Sequence, residues 1–68
     1  MPMYLLDKIP QPNGEFEVHE ASCPRAPPDA ENRLHLGDFP HCRDALAVAR
    51  KYFHNVNGCR HCSPECRS

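Results

Sequence analysis

The run Met3-Tyr4-Leu5-Leu6-Asp7-Lys8-Ile9 is apolar enough to read as a strand, and Pro10-Gln11-Pro12-Asn13-Gly14 breaks it. Asn-Gly is a strong turn dipeptide because both residues tolerate positive φ. Glu15-Phe16-Glu17-Val18-His19 then alternates polar and apolar, the period-two signature of a half-buried strand. The two runs predict a hairpin with a long, proline-stiffened turn. From Glu20 to Arg33 the chain holds Pro24, Pro27 and Pro28 and shows no periodicity, which predicts a loop. Loops this long are usually pinned or functional, and Cys23 is a candidate pin. Leu34-His35-Leu36-Gly37 reads as a short third strand, and Gly37-Asp38 turns the chain toward Phe39-Pro40.

From about His41 to Phe53 the period changes to that of a helix. Ala45, Leu46, Ala49, Tyr52 and Phe53 share one face, and Cys42 extends it. Pro40 sits near the start, where its missing N–H is harmless. Asp44 in the first turn and Arg50 and Lys51 near the end suit the helix dipole. Asn55 and Asn57-Gly58 stop the helix. The tail holds the knuckle Cys59-Arg60-His61-Cys62, then Ser63-Pro64-Glu65-Cys66, which suggests one short helical turn. The expected architecture is α+β: a small antiparallel three-stranded sheet packed by one main helix.

A chain of 68 residues makes a single domain, residues 1–68. The aliphatic core is thin, with five Leu, three Val and one Ile. A core of this size supplies only a few kcal/mol of net stability, so a staple is expected. Five cysteines point to a disulfide framework or a metal site. The odd count fits full disulfide pairing poorly. The start of the chain lacks the basic lead and long apolar run of a signal peptide. No stretch approaches the roughly 18 apolar residues of a membrane span. These features lead us to expect a reducing, cytoplasmic setting, where thiols persist as ligands, and a monomer without a membrane partner. The net charge of -1 gives no support for strong attraction to nucleic acid. The local basic spots are Arg50-Lys51, and Arg60 with Arg67; these are the residues to consider if the partner is nucleic acid and not protein.

Zn²⁺ takes four ligands in a tetrahedron, usually Cys thiolate and His nitrogen. Cys59-x-x-Cys62, led by Gly58, has the form that places two sulfurs on one tetrahedral edge. Redox enzymes use the same spacing, but at the start of a helix in a βαβ context. Here it follows the helix. The other ligands must come from upstream, where His19-x-x-x-Cys23 lies at the end of a strand, or from Cys66. The candidate sets are His19, Cys23, Cys59 and Cys62, or Cys23, Cys59, Cys62 and Cys66. Cys42 reads as a small buried hydrophobe. His35, His41, His54 and His61 share no spacing and read as surface residues. Asp38 and Asp44 suit turn and helix-start roles better than catalysis. Arg60 and Arg67 are placed to offset thiolate charge.

The order Val18-His19-x-x-x-Cys23, a strand, the Ala-rich helix Asp44-Ala45-Leu46-Ala47-Val48-Ala49, then Gly58-Cys59-x-x-Cys62-x-Pro64 resembles the N-terminal metal-binding domain of Ada-type DNA-repair methyltransferases. It is similar too to the small Ada-like zinc modules of some bacterial nucleases and surface proteins. The likeness covers roughly residues 15–64. It implies one structural zinc ion, held by His19 and Cys23 at the first pair and by Cys59 and Cys62 at the second, and so favours His19 over Cys66. In the repair enzymes the first cysteine of the first pair accepts a methyl group from a DNA phosphotriester. That position is His19 here, and a zinc-bound imidazole has no free lone pair for attack on carbon. The expectation is therefore a zinc-binding interaction module without catalysis. The alternatives are an Ada-like nucleic-acid-binding accessory protein, or a thiol-based redox sensor reacting at Cys42 or Cys66.

Overall fold

The computed structural model describes residues 1–67. Four strands form one mixed sheet: β1 (Met3–Asp7), β2 (Phe16–Glu20), β3 (Arg33–Asp38) and β4 (Val56–Gly58). One α-helix, α1 (Cys42–Ala49), crosses the sheet. Short 3-10 turns lie at Ala30–Asn32 and Pro64–Cys66. The strand order is β3-β1-β2-β4. β1 pairs antiparallel with β2 and with β3.

The expected α+β class describes the chain, but the sheet has a fourth strand that the sequence reading missed. β4 is three residues long and pairs parallel to β2, with Phe16 opposite Val56 and Val18 opposite Gly58. Such a segment is too short to show a period, and its partner lies far away in sequence. Asn57-Gly58 has the composition of a helix stop. Asn57 is instead a buried strand residue whose amide reaches the Glu15 carboxylate at 3.3 and 3.4 Å.

The period-two geometry of β1 gives the sheet two working faces. Tyr4 and Leu6 join Val18 of β2 on one face, against Cys42, Ala45, Leu46 and Ala49 of α1. Leu5 joins Cys23, Ala26 and Cys59 in a second buried cluster. Leu5 pairs with His19 across the β1–β2 ladder. The same strand that buries Val18 under the helix thus carries His19 on the other face.

The helix is shorter than its apolar pattern predicts, ending at Ala49 instead of Phe53. Beyond Ala49 the N–H groups of Lys51 and Tyr52 bond to the carbonyls three residues back, Val48 and Ala49. This tightening of the last turns is a common way to satisfy terminal carbonyls. It leaves Tyr52 exposed at 56%, off the core face, while Phe53 stacks on Phe16 with ring centroids 3.8 Å apart. Pro40 precedes the cap. The N-cap is His41, whose Nδ1 accepts the Arg43 N–H at 3.1 Å.

In the β1–β2 connection Gly14 takes φ 87° and donates to the Gln11 carbonyl at 2.8 Å. The loop of residues 21–32 is held by Arg33, whose Nε and Nη2 donate to the carbonyls of Pro27 at 2.8 Å and Ala21 at 3.2 Å. Lys8 N–H bonds to the Asn32 carbonyl at 2.9 Å and ties the far end to β1.

Gly58 is required by close approach. A Cβ there would lie 2.6 Å from the Ser63 carbonyl oxygen and 2.9 Å from Cys66 Cβ. Both neighbours are held, one by backbone geometry and one by a side-chain bond. Gly58→Ala is therefore expected to destabilise the protein by about 1–3 kcal/mol, the usual penalty for overpacking. Denaturant unfolding of the two proteins side by side checks this; an unchanged midpoint would show that the contact relaxes freely.

Candidate metal centre

Four side chains from three separate parts of the chain meet on the second face of the sheet. His19 comes from β2, Cys23 from the turn after it, and Cys59 and Cys62 from the turn after β4. Their ligand atoms all lie within 4.8 Å of one another. Local backbone bonds explain the convergence. Cys23 N–H bonds to the Glu20 carbonyl at 3.0 Å, and Ala26 N–H to the Cys23 carbonyl at 3.0 Å, so the chain folds back under β2. Cys59 N–H continues the parallel ladder to the Val18 carbonyl at 2.9 Å, and Ser63 N–H closes the turn on the Cys59 carbonyl at 2.9 Å. Cys59 thus lands beside His19 because β4 runs parallel to β2.

The donor set suits a tetrahedral metal ion. Cys23 Sγ and Cys59 Sγ are 3.9 Å apart. A tetrahedron with Zn–S bonds of about 2.3 Å has a sulfur–sulfur edge of about 3.8 Å. The Cys59 sulfur accepts the His61 N–H at 3.3 Å, and the Cys62 sulfur accepts the Glu20 N–H at 3.3 Å. Ser63 Oγ lies 3.7 Å from Cys62 Sγ. Donors aimed at sulfur stabilise thiolate and orient it for a metal. Cys23, Cys59 and Cys62 are free thiols.

His19 is 1% exposed, and neither ring nitrogen has a hydrogen-bond partner. The nearest charge is Glu17 Oε1, 3.6 Å from Nε2. Buried polar atoms are rarely left unpaired, because each lost hydrogen bond costs about 1–3 kcal/mol. Burial holds the imidazole below its usual 6.5, so it is neutral and offers a lone pair at neutral pH. Burial also pushes the Cys62 thiol up to about 12. Without a cation the Cys62 sulfur keeps its proton; a divalent ion would reverse that preference.

Cys66, the alternative fourth ligand, is not at this site. It is joined by a disulfide to Cys42. Cys42 is buried as expected of a helix-face residue, but it is a cross-linked cysteine and not a plain hydrophobe. The odd cysteine count, read as an argument against disulfides, divides into one bridge and three free thiols. His41, read as a surface residue, is partly buried beside the bridge, with Nδ1 3.7 Å from Cys42 Sγ and 3.9 Å from Cys66 Sγ. Spacing alone gave no sign of this pairing.

Arg50 and Lys51 are exposed at the end of α1. Arg67 is committed to Glu17 Oε2 and the Gly58 carbonyl, each at 3.2 Å. Arg60 lines a cleft of about 380 Å³ with Arg25, Arg67, Gln11, Glu17 and Cys59. Arginines beside Cys59 would offset the negative charge of a centre with three thiolates.

The fold and this site define a small α+β chain whose clustered Cys and His side chains can hold a metal ion. No protein-family model, curated protein or solved structure matches it. Among the described residues no helix is long and apolar enough to cross a membrane.

The two shifted groups of this centre, His19 and Cys62, set a pH window for the metal-free protein. Unfolded His19 takes up a proton below 6.5 that the folded imidazole refuses, so stability present above 6.5 falls as pH drops. Unfolded Cys62 releases a proton above 9.0 that the folded thiol keeps until about 12, so stability also falls as pH rises through that range. Thermal unfolding of chelated protein across pH should therefore show a maximum between 6.5 and 9.0. A melting temperature that is flat or rising from pH 9 to 11 would contradict it.

Proposed function

We propose that this chain is a zinc-stapled binding module: His19, Cys23, Cys59 and Cys62 hold one structural Zn²⁺, and the folded unit serves as an interaction domain without catalysis. The observation that carries the reading is the buried His19 imidazole, unpaired at both nitrogens and within 4.8 Å of three free thiols. Three sulfurs and one imidazole form a soft-to-borderline set that suits zinc. Four protein ligands close the coordination shell, which is the pattern of structural sites; catalytic zinc keeps an open position.

The resemblance to Ada-type modules rests on the same ligand order. In those enzymes the methyl acceptor is a cysteine at the position of His19. An imidazole there supports a structural role for this centre. The nucleic-acid reading has less behind it, since Arg67 is spent on Glu17 and Gly58, and Arg50 and Lys51 lie apart from the knuckle in sequence.

Metal analysis of protein purified with its disulfide intact should recover one zinc per chain. His19→Ala should lose most of that zinc and melt at a clearly lower temperature, because metal affinity in so small a chain is largely folding free energy, of order 10 kcal/mol for zinc-finger peptides. Cys66→Ala should retain the ion. Native protein that carries no metal, or whose melting temperature chelation leaves unchanged, would overturn the proposal.

A further inference from the structure

A second group of soft ligands lies on the helix side of the sheet. His41 Nδ1, Cys42 Sγ and Cys66 Sγ are within 4.8 Å of one another. We propose that His41, Cys42 and Cys66 form a redox-gated second metal site: closed as a disulfide when oxidised, and open to a soft or borderline divalent cation such as Zn²⁺ when reduced.

The geometry around His41 carries this inference. Its Nδ1 accepts the Arg43 N–H at 3.1 Å, so the ring proton is on Nε2, which donates to Glu65 Oε2 at 2.9 Å. The Nδ1 lone pair is taken by the Arg43 N–H in this state, with both sulfurs within 3.9 Å of the same atom. A carboxylate on the far nitrogen of a histidine is the usual outer support of a metal ligand, fixing tautomer and ring orientation. The Nδ1 atom lies 3.7 Å from Cys42 Sγ and 3.9 Å from Cys66 Sγ. A tetrahedral ion with Zn–N and Zn–S bonds of about 2.1 and 2.3 Å needs a nitrogen–sulfur edge of about 3.6 Å. Cys42 also begins α1, where the helix dipole favours negative charge. Binding would require the ring to give up its cap bond to Arg43.

The two states exclude each other. A dithiol reductant supplies two electrons and two protons; the Cys42–Cys66 bond breaks to two thiols, and the reductant leaves as its own disulfide. Metal binding then displaces the two thiol protons to solvent. Oxidation by a disulfide-class oxidant reverses this, re-forming the bridge and expelling the ion. With three protein ligands the reduced site keeps one coordination position for water or an incoming ligand, unlike the four-ligand centre.

Native mass spectrometry with excess Zn²⁺ tests this on the full chain, using a phosphine reductant that does not compete for metal. The oxidised protein should bind one ion and the reduced protein two. Cys66→Ser should bind one ion in either state. Glu65→Ala removes an exposed side chain that makes no contribution to the core; it should weaken the second ion about 10–100-fold and leave the first untouched. Reduced wild-type protein that stops at one ion overturns the second site and leaves the first intact, as does reduced Cys66→Ser that still takes two. These variants all retain His19, Cys23, Cys59 and Cys62. Failure of the four-ligand reading is seen separately, as an oxidised protein that binds no ion.

Discussion

His19 is buried with no hydrogen bond at either ring nitrogen, only the Glu17 carboxylate 3.6 Å from Nε2. The rest of the fold is arranged around that imidazole. It stands opposite Leu5 in the β1–β2 ladder, so strand pairing fixes its position and its face. The neighbouring Val18 is sealed beneath α1, which prevents β2 from slipping register: a one-residue slip would exchange Val18 and His19 between faces. Three thiols approach from loops that hydrogen bonds hold in place. A buried imidazole without a hydrogen bond is a poor use of so small an interior. A cation at the same place would satisfy the ring and favour the Cys62 thiolate together.

The size of the chain explains why both faces of the sheet need reinforcement. The helix side has the larger apolar cluster, yet α1 contributes only Cys42, Ala45, Leu46 and Ala49 to it. Three of these four are small, so the helix sits close to the sheet but buries little area. The disulfide from Cys42 to Cys66 spans 24 residues and anchors the start of the helix to the C-terminal turn. Loop-closure reasoning gives a cross-link of this span about 3 kcal/mol. On the opposite face Leu5 and Ala26 are the only apolar residues besides cysteines in the buried cluster among the described residues. There the His19, Cys23, Cys59 and Cys62 cluster, which can hold a metal ion, fills the space that larger apolar side chains would otherwise take.

The sequence made some of this legible and concealed the rest for physical reasons. β2 was readable because one of its faces is covered differently from the other, and alternation is what such a strand writes into a sequence. The Pro10–Gly14 turn and the start of α1 were readable from local backbone chemistry. The ligand order of His19, Cys23, Cys59 and Cys62 could be listed as candidates from spacing and resemblance, because metal chemistry restricts residue type. β4 was not readable: its pairing is non-local, and Asn57-Gly58 carries a turn signature while its actual role is set by Glu15 and by the close packing of Ser63 and Cys66. The Cys42–Cys66 bridge was hidden for a similar reason. Cys42 satisfies an amphipathic helix as a hydrophobe, and only the fold brings residue 66 back to residue 42.

The two cysteine chemistries also meet at one place in the backbone. Gly58 ends β4 and precedes the ligand Cys59, and it touches both Ser63 and Cys66. The turn of residues 59–63 is thus fixed at one end by the bond from Cys59 N–H to Val18, and at the other by Cys66, which the disulfide holds against α1. Cys66 N–H bonds back to the Ser63 carbonyl at 3.1 Å, so displacement at either end is carried along the same few residues. An ion at the four-ligand centre would order this turn from the β2 side, as the bridge orders it from the helix side. Each would then reduce the conformational freedom left for the other to remove, making the two cross-links mutually reinforcing. Gly58 is the point through which that reinforcement passes, because a side chain there would separate the strand from the turn that both chemistries require.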